Sequence, residues 1–299
     1  MLAFHLLSVS LGLLSVIAAP DPRPRKCGTT ISDSELQAAE KHFRANAIAA
    51  TSLRLRMAKS MLPKPLNVYW HAISSNETRR GGAISDETIA ASIEVLNNAY
   101  KSTGVTFTLV QTTRTLNHTW FTEVSQDNTW QTDMKKTLRV GNSSDLNIYS
   151  VGFDSTGLLG YATFPQRYQD EPHNDGVVIS PATLPGGWEP SFNLGHTLTH
   201  EVGHWFGLHH TFQGGCSGGG GDQVDDTPPE AYASSGCPIG RDTCDGDTLP
   251  DPIHNFMDYS NDECMREFTP GQGKRIRSQL RTYRGLDLPE DDRVAPDAS

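Results

Sequence analysis

Beyond its first seventeen residues this chain has no apolar run long enough to cross a bilayer, since a membrane helix needs about 20 consecutive apolar residues. Basic side chains are also in short supply: 25 Lys and Arg stand against 35 Asp and Glu, a formal charge of −10. That balance argues against nucleic acid or an anionic membrane as partner and suits a soluble protein able to bind calcium. Cysteine is scarce as well. Four of the five (Cys216, Cys237, Cys244 and Cys264) fall in one stretch, and Cys27 stands alone.

What is present is concentrated in His200-Glu201-Val202-Gly203-His204-Trp205-Phe206-Gly207-Leu208-His209-His210, which fits H-E-x-x-H-x-x-G-x-x-H. Residues four apart share a helix face, so His200 and His204 can offer two imidazoles to one zinc ion. Glu201 stands beside them, close enough to bond a water held there without itself ligating. Gly207 can take φ > 0, letting the chain leave the helix and bring up His210 as third ligand. Three neutral nitrogens leave a fourth position for water, the mark of a catalytic zinc site. His209 reads as a neighbour behind the ligands or at the surface, and His196 as structural. The bland alternative, a metal-free histidine-rich helix end, conflicts with the rarity of clustered histidine and unpaired Glu in cores.

Asn255-Phe256-Met257-Asp258-Tyr259 follows, with Met257 placed 257 − 210 = 47 residues after the third histidine. It resembles the Met-turn of the metzincin metallopeptidases, where a methionine forms an apolar floor beneath the imidazoles. Tyr259 resembles the tyrosine that some metzincins aim at the zinc. Its hydroxyl could hold a substrate carbonyl or the developing oxyanion, although buried tyrosines are usually structural.

The N-terminus, apolar through Ile17 and ending in Ala18-Ala19-Pro20, predicts a signal peptide over 1–18, without the usual Lys or Arg ahead of the apolar run. A secreted, extracellular product follows. Residues 19–62 read as a propeptide: Cys27 precedes an Ala-rich helical segment from Ser34 to about Lys59 and a join at Pro63-Lys64-Pro65. A thiolate is a good fourth zinc ligand, so Cys27 either closes the site until the propeptide leaves or is an idle thiol. Removing it leaves four cysteines, whose three possible pairings stay open. Each bridge would contribute about 3 kcal/mol to a Gly-, Pro- and Asp-rich segment with little apolar surface. Sequons at Asn76, Asn117 and Asn142 are candidate glycosylation sites.

Apolar patterning predicts strands at 66–73, 105–110, 146–151, 158–163 and 177–179. Ser85 caps a helix with Ile89, Ile93, Leu96 and Tyr100 on one face; a short helix near 134–139 and the zinc helix, about 194–206, follow. The expected fold is α/β (α+β): a mixed sheet backed by two helices, then an irregular C-terminal subdomain after about residue 207. That subdomain closes with a helix capped by Thr269, with Pro270 and Gln272 completing a capping box. The catalytic domain spans 63–286, and 287–299 reads as a disordered tail.

Taken together, these motifs closely resemble the pappalysin family of metzincins, especially small secreted fungal members. The likeness runs over about 66–283 and is densest from Gly195 to Gln272. It implies pairing of Cys216 with Cys244 and Cys237 with Cys264, and zinc on His200, His204 and His210. It also suggests calcium on the 222–230 loop, through Asp222, Asp225, Asp226 and Glu230, against the alternative that Asp and Pro simply make turns. The edge strand that pairs with substrate would be Leu159, Gly160, Tyr161, Ala162 and Thr163. The implied activity is a monomeric zinc endopeptidase acting on peptides or proteins, with Glu201 as general base and acid. A zinc-binding module with vestigial catalysis and a hydrolase of non-peptide amides are the alternatives.

Overall fold

Five strands form one mixed sheet in a computed structural model that describes residues 24–57, 64–216, 221–246 and 249–288. The expected signal peptide (1–18), the first residue of the 63–65 join and the chain from 289 lie outside the described residues. The chain opens with α1 (Asp33–Met57), then β1 (Leu66–Ser74), α2 (Asp86–Ala99) and β2 (Phe107–Leu116). Next come α3 (His118–Glu123), α4 (Thr129–Leu138), β3 (Leu146–Ser150), β4 (Gly160–Ala162) and β5 (Val177–Ile179). The zinc-motif helix is α5 (His196–Trp205), and α6 (Pro270–Gln279) closes the C-terminal half.

The strand order is β2-β1-β3-β5-β4, parallel except for β4, which runs antiparallel to β5 and forms one edge. Parallel strands buried on both faces read as unbroken apolar runs, and β3 and β5 are fully buried. One face packs Val68, Trp70, Ile148 and Val177 against Ile89, Ile93 and Leu96 of α2 and Leu198, Val202 and Trp205 of α5. These are the two backing helices expected. The other face packs Ile73, Tyr149 and Val178 under Trp120 and Phe121 of α3 and Met134 of α4.

Local signals place α2 and α6 well. Ser85 accepts from Thr88 N, and Thr269 and Gln272 form the reciprocal capping box. β2 starts two residues later than patterning suggests and runs on through Thr112 to Leu116, because β1 supplies pairing partners along its whole length. α3 was not anticipated: six residues are too few for a 3.6-residue period to register. Leu288 packs in the main core, so ordered chain extends past the expected tail boundary.

Candidate active site and metal centre

α5 presents His200, Glu201 and His204 from consecutive turns, all buried. His200 Nδ1 donates to Phe256 O (2.7 Å) and His204 Nδ1 to Leu208 O (2.9 Å). Each bond places the proton on Nδ1 and turns an Nε2 lone pair inward. Gly207, at φ +87°, reverses the chain so that His210 joins them. The three Nε2 atoms then lie 3.0–3.2 Å apart. His200 and His204 thus aim two lone pairs at the point where the His210 ring nitrogen also arrives, an arrangement a cation would stabilise. The spacing is close to the roughly 3.3 Å that tetrahedral bonds of about 2.05 Å require, so the residues fit zinc. Burial pushes His204 down to about 3 and holds His200 and His210 well below the ordinary imidazole value, leaving all three neutral, as ligands must be.

Met257 is fully buried against α5, and its sulfur occupies the space a side chain at Gly203 would need. That close approach accounts for glycine in the second variable position of the motif. Tyr259 stacks edge-on against His210 at 4.9 Å and lies 5.8 Å from His200. Glu201 is 1% exposed, and burial raises its carboxyl to about 7 despite hydrogen bonds from Cys27 and Thr29. Gly160 in β4 leaves room for this side chain, since a Cβ there would press on Glu201 Cγ.

The segment ahead of α1 fills the cleft. Gly28 N donates to Gly160 O (2.8 Å) and Leu159 N to Lys26 O (2.9 Å), so residues 26–28 pair in parallel with the free edge of β4 through one bridge, Cys27 to Gly160. Cys27 Sγ thereby stands 3.6 Å from His204 Nε2 and 3.5 Å from Glu201 Oε2. A tetrahedral ion with a thiolate bond of about 2.3 Å would need almost that sulfur–nitrogen separation. Cys27, His200, His204 and His210 form one four-donor cluster.

Two further contacts were not foreseen. Thr29 Oγ1 accepts from Ala162 N (2.8 Å) and donates to Glu201 Oε2 (3.0 Å). Arg25, 2% exposed, donates to Asp262 Oδ1 (2.7 Å), Thr197 Oγ1 (2.9 Å) and Ser260 O (3.3 Å) and lies 4.8 Å over the Phe192 ring. The other Asp262 oxygen accepts from Leu194 N (2.8 Å) and His196 N (3.4 Å) at the start of α5. His196 Nδ1 donates to Asp262 O, the structural role expected. His209 is buried against Arg275 rather than lying at the surface.

The bridges Cys216–Cys244 and Cys237–Cys264 are both formed. The four acidic residues of the 222–230 loop do not converge. Asp222 accepts from Val224 N, Asp226 accepts from Thr269 Oγ1 and Gly271 N at the start of α6, Asp225 is exposed, and Glu230 pairs with Arg241 and accepts from Thr211. Among the described residues, the groupings with metal-ligand spacing are the four-donor cluster and the Cys237–Cys264 bridge with His254. The sequon side chains lie in surface turns at Asn76 and Asn142, and Asn117 caps α3.

Residues 126–281 match the family model described as pregnancy-associated plasma protein-A. The chain is 42% identical over 284 residues to an extracellular metalloprotease of Verticillium alfalfae, covering 93% of this chain and 96% of that one. The chain belongs to the pappalysin family. Extracellular metalloprotease 1 of Coccidioides posadasii is likewise 42% identical over 281 residues, covering 93% of this chain and 96% of that one. Among solved pappalysins, mature mirolysin of Tannerella forsythia in complex with a cleaved peptide is 28% identical with a TM-score of 0.61, over 78% of this chain and all of that one. A promirolysin mutant matches over 89% of this chain and all of that one, at 26% identity and a TM-score of 0.63. The chain is therefore a metallopeptidase of metzincin fold, and none of its described helices is long and apolar enough to cross a membrane.

Proposed function

We propose that this pappalysin is secreted as a zymogen and, once processed, hydrolyses peptide bonds with zinc held by His200, His204 and His210. The observation that carries the reading is the convergence of three inward-facing Nε2 atoms, with the fourth position taken by a thiol from a segment outside the catalytic domain. When bound, zinc supplies Lewis acidity, acidifying a water and polarising the scissile carbonyl. Glu201 takes the proton of the attacking water and delivers it to the leaving amine; its raised carboxyl suits a group that must do both near neutrality. The Tyr259 hydroxyl steadies the oxyanion. The edge of β4 pairs with the substrate backbone where residues 26–28 now sit.

Arg25 supports a substrate preference as well. Its departure would leave Asp262 at the end of a buried recess beside the histidines, and a buried carboxylate selects a cation. A basic side chain next to the scissile bond is the expected preference. Latency rests on Cys27 at the metal, Thr29 on Glu201 and Arg25 in the recess. The carboxylates of the 222–230 loop do not converge, and Asp226 and Glu230 are held by protein donors, so no calcium is assigned to it in this reading; Asn76 and Asn142 are exposed acceptors for N-glycans.

A second reading has one observation in its favour. If the N-terminal segment stays, Cys27 makes a closed four-ligand site, which is structural rather than catalytic. The N-terminal sequence of the purified protein separates the two. For the mechanism, Glu201→Gln should retain one zinc by elemental analysis and lose turnover by about a thousandfold or more; undiminished proteolysis would defeat the assignment.

A further inference from the structure

α1 is fastened to the C-terminal half through one carboxylate. Glu40 accepts from both terminal nitrogens of Arg275, Nη1 at 3.2 Å and Nη2 closer still, and lies 3.7 Å from His209 Nε2. The guanidinium is itself built in, only 8% exposed. Its Nε donates to Gly207 O (2.9 Å), Nη2 faces His209 Nε2 (3.2 Å), and Phe43 covers it at 5.5 Å. Phe164, Gln166, Gln279 and Tyr283 complete the recess. Two buried polar atoms here, Gln279 Oε1 and His209 Nδ1, have no hydrogen-bond partner among the described residues.

Of this lining, only Ala39, Glu40 and Phe43 precede residue 63. The rest belongs to the catalytic domain, and the bonds from Arg275 to Gly207 and His209 hold the guanidinium fork in place without α1. From these contacts we infer that the processed enzyme keeps a carboxylate-binding subsite at Arg275, which takes an acidic side chain of the substrate. The inference rests on the peptidase reading above. A guanidinium fork matches a carboxylate in two parallel bonds, and the zymogen already shows such a pair. The recess adjoins the cleft, because Phe164, just beyond β4, packs on His204 at 5.5 Å and His209 at 5.2 Å. The full chain carries a formal charge of −10, and losing residues 1–62, with eight Lys and Arg against four Asp and Glu, makes the processed enzyme more acidic still, so a local cation is needed to admit an acidic flank. Asp222, which faces Arg275 and has a buried, unpartnered Oδ2, is the rival occupant from within the chain.

The test uses enzyme processed from the full chain and peptides identical around the scissile bond. One Glu is placed in turn about three to eight residues away on either flank, with Gln as control. At one or two neighbouring positions on a single flank, Glu should be cleaved about tenfold better than Gln, chiefly through KM, and less so at high salt. In Arg275→Gln that ratio should fall to about one. A ratio near one everywhere in the wild type, as Asp222 closing onto Arg275 would produce, overturns the inference. So does a ratio that survives Arg275→Gln. If no peptide is cleaved, the peptidase reading fails separately, and binding then decides the subsite. The same measurement serves if Arg275→Gln does not fold. A fluorescent peptide of residues 33–46 should bind the processed protein about tenfold more tightly than its Glu40→Gln form, and equal binding rejects the subsite.

Discussion

Arg25→Ala removes one half of a buried ion pair and leaves the other half in place. Asp262 Oδ1 loses its 2.7 Å partner, and Thr197 and Ser260 lose a donor. Truncating one member of a buried pair costs about 3–5 kcal/mol. Asp262 keeps Leu194 N and His196 N on its other oxygen, so the lower end applies. About 3 kcal/mol corresponds to an opening equilibrium roughly a hundredfold more favourable for the N-terminal segment. The thiol of Cys27 reports that opening, because it must leave the histidines before a reagent can reach it. In full chain held uncleaved by Glu201→Gln and loaded with zinc, alkylation of Cys27 should accelerate about a hundredfold with Arg25→Ala. Lys26→Ala, at an exposed side chain one residue away, should change it less than about threefold. Equal rates for the two variants would refute the claim that the Asp262 recess anchors the segment.

Acid should loosen α1 through Glu40. Burial works against ionisation there, but the paired hydrogen bonds from the Arg275 guanidinium prevail and hold the carboxyl at about 2. A depressed carboxyl stabilises docking above its free value and loses that contribution as pH falls toward the bound value. Hydrogen exchange of residues 33–46 should therefore be slower in wild type than in Glu40→Gln near neutrality, and the two should converge between about pH 4.5 and 2. A gap that persists unchanged would contradict the assignment. Asp175→Ala should cost about 3–5 kcal/mol in the processed enzyme, because Asp175 pairs with the buried Arg284 (2.9 Å) and accepts from Trp205 Nε1 (3.1 Å) at the end of α5. Denaturant titration measures it, and a loss under about 1 kcal/mol would show that Arg284 finds another partner.

The metal centre was legible because its ligands are close in sequence. His200, His204, Gly207 and His210 lie within three turns' length of chain, so helix geometry and one positive φ place them. Caps at Ser85 and Thr269 were legible for the same reason, since each partner stands three residues away. Arg25 and Thr29 were not, because Arg25 meets residues 197, 260 and 262, and Thr29 meets residue 201; no periodicity encodes such meetings. The Arg25-Lys26-Cys27 spacing held a signal all the same: in an extended strand residues 25 and 27 share a face, so a ligating Cys27 turns Arg25 toward the same floor. His209 was placed behind the ligands or at the surface, and the bond from Arg275, 66 residues on, settles it inside. Calcium on the 222–230 loop was implied by the family resemblance, but a resemblance in sequence does not say which carboxylates protein donors already hold, as they do Asp226 and Glu230.

The central claim is a latent zinc site opened by loss of its sulfur ligand, and X-ray absorption at the zinc edge tests it most directly. In the full chain the account predicts one sulfur at about 2.3 Å and three nitrogens at about 2.0 Å. After processing the sulfur should vanish, replaced by oxygen or nitrogen, in step with the appearance of peptidase activity. A shell without sulfur in the full chain, or one that keeps sulfur in active enzyme, would contradict it.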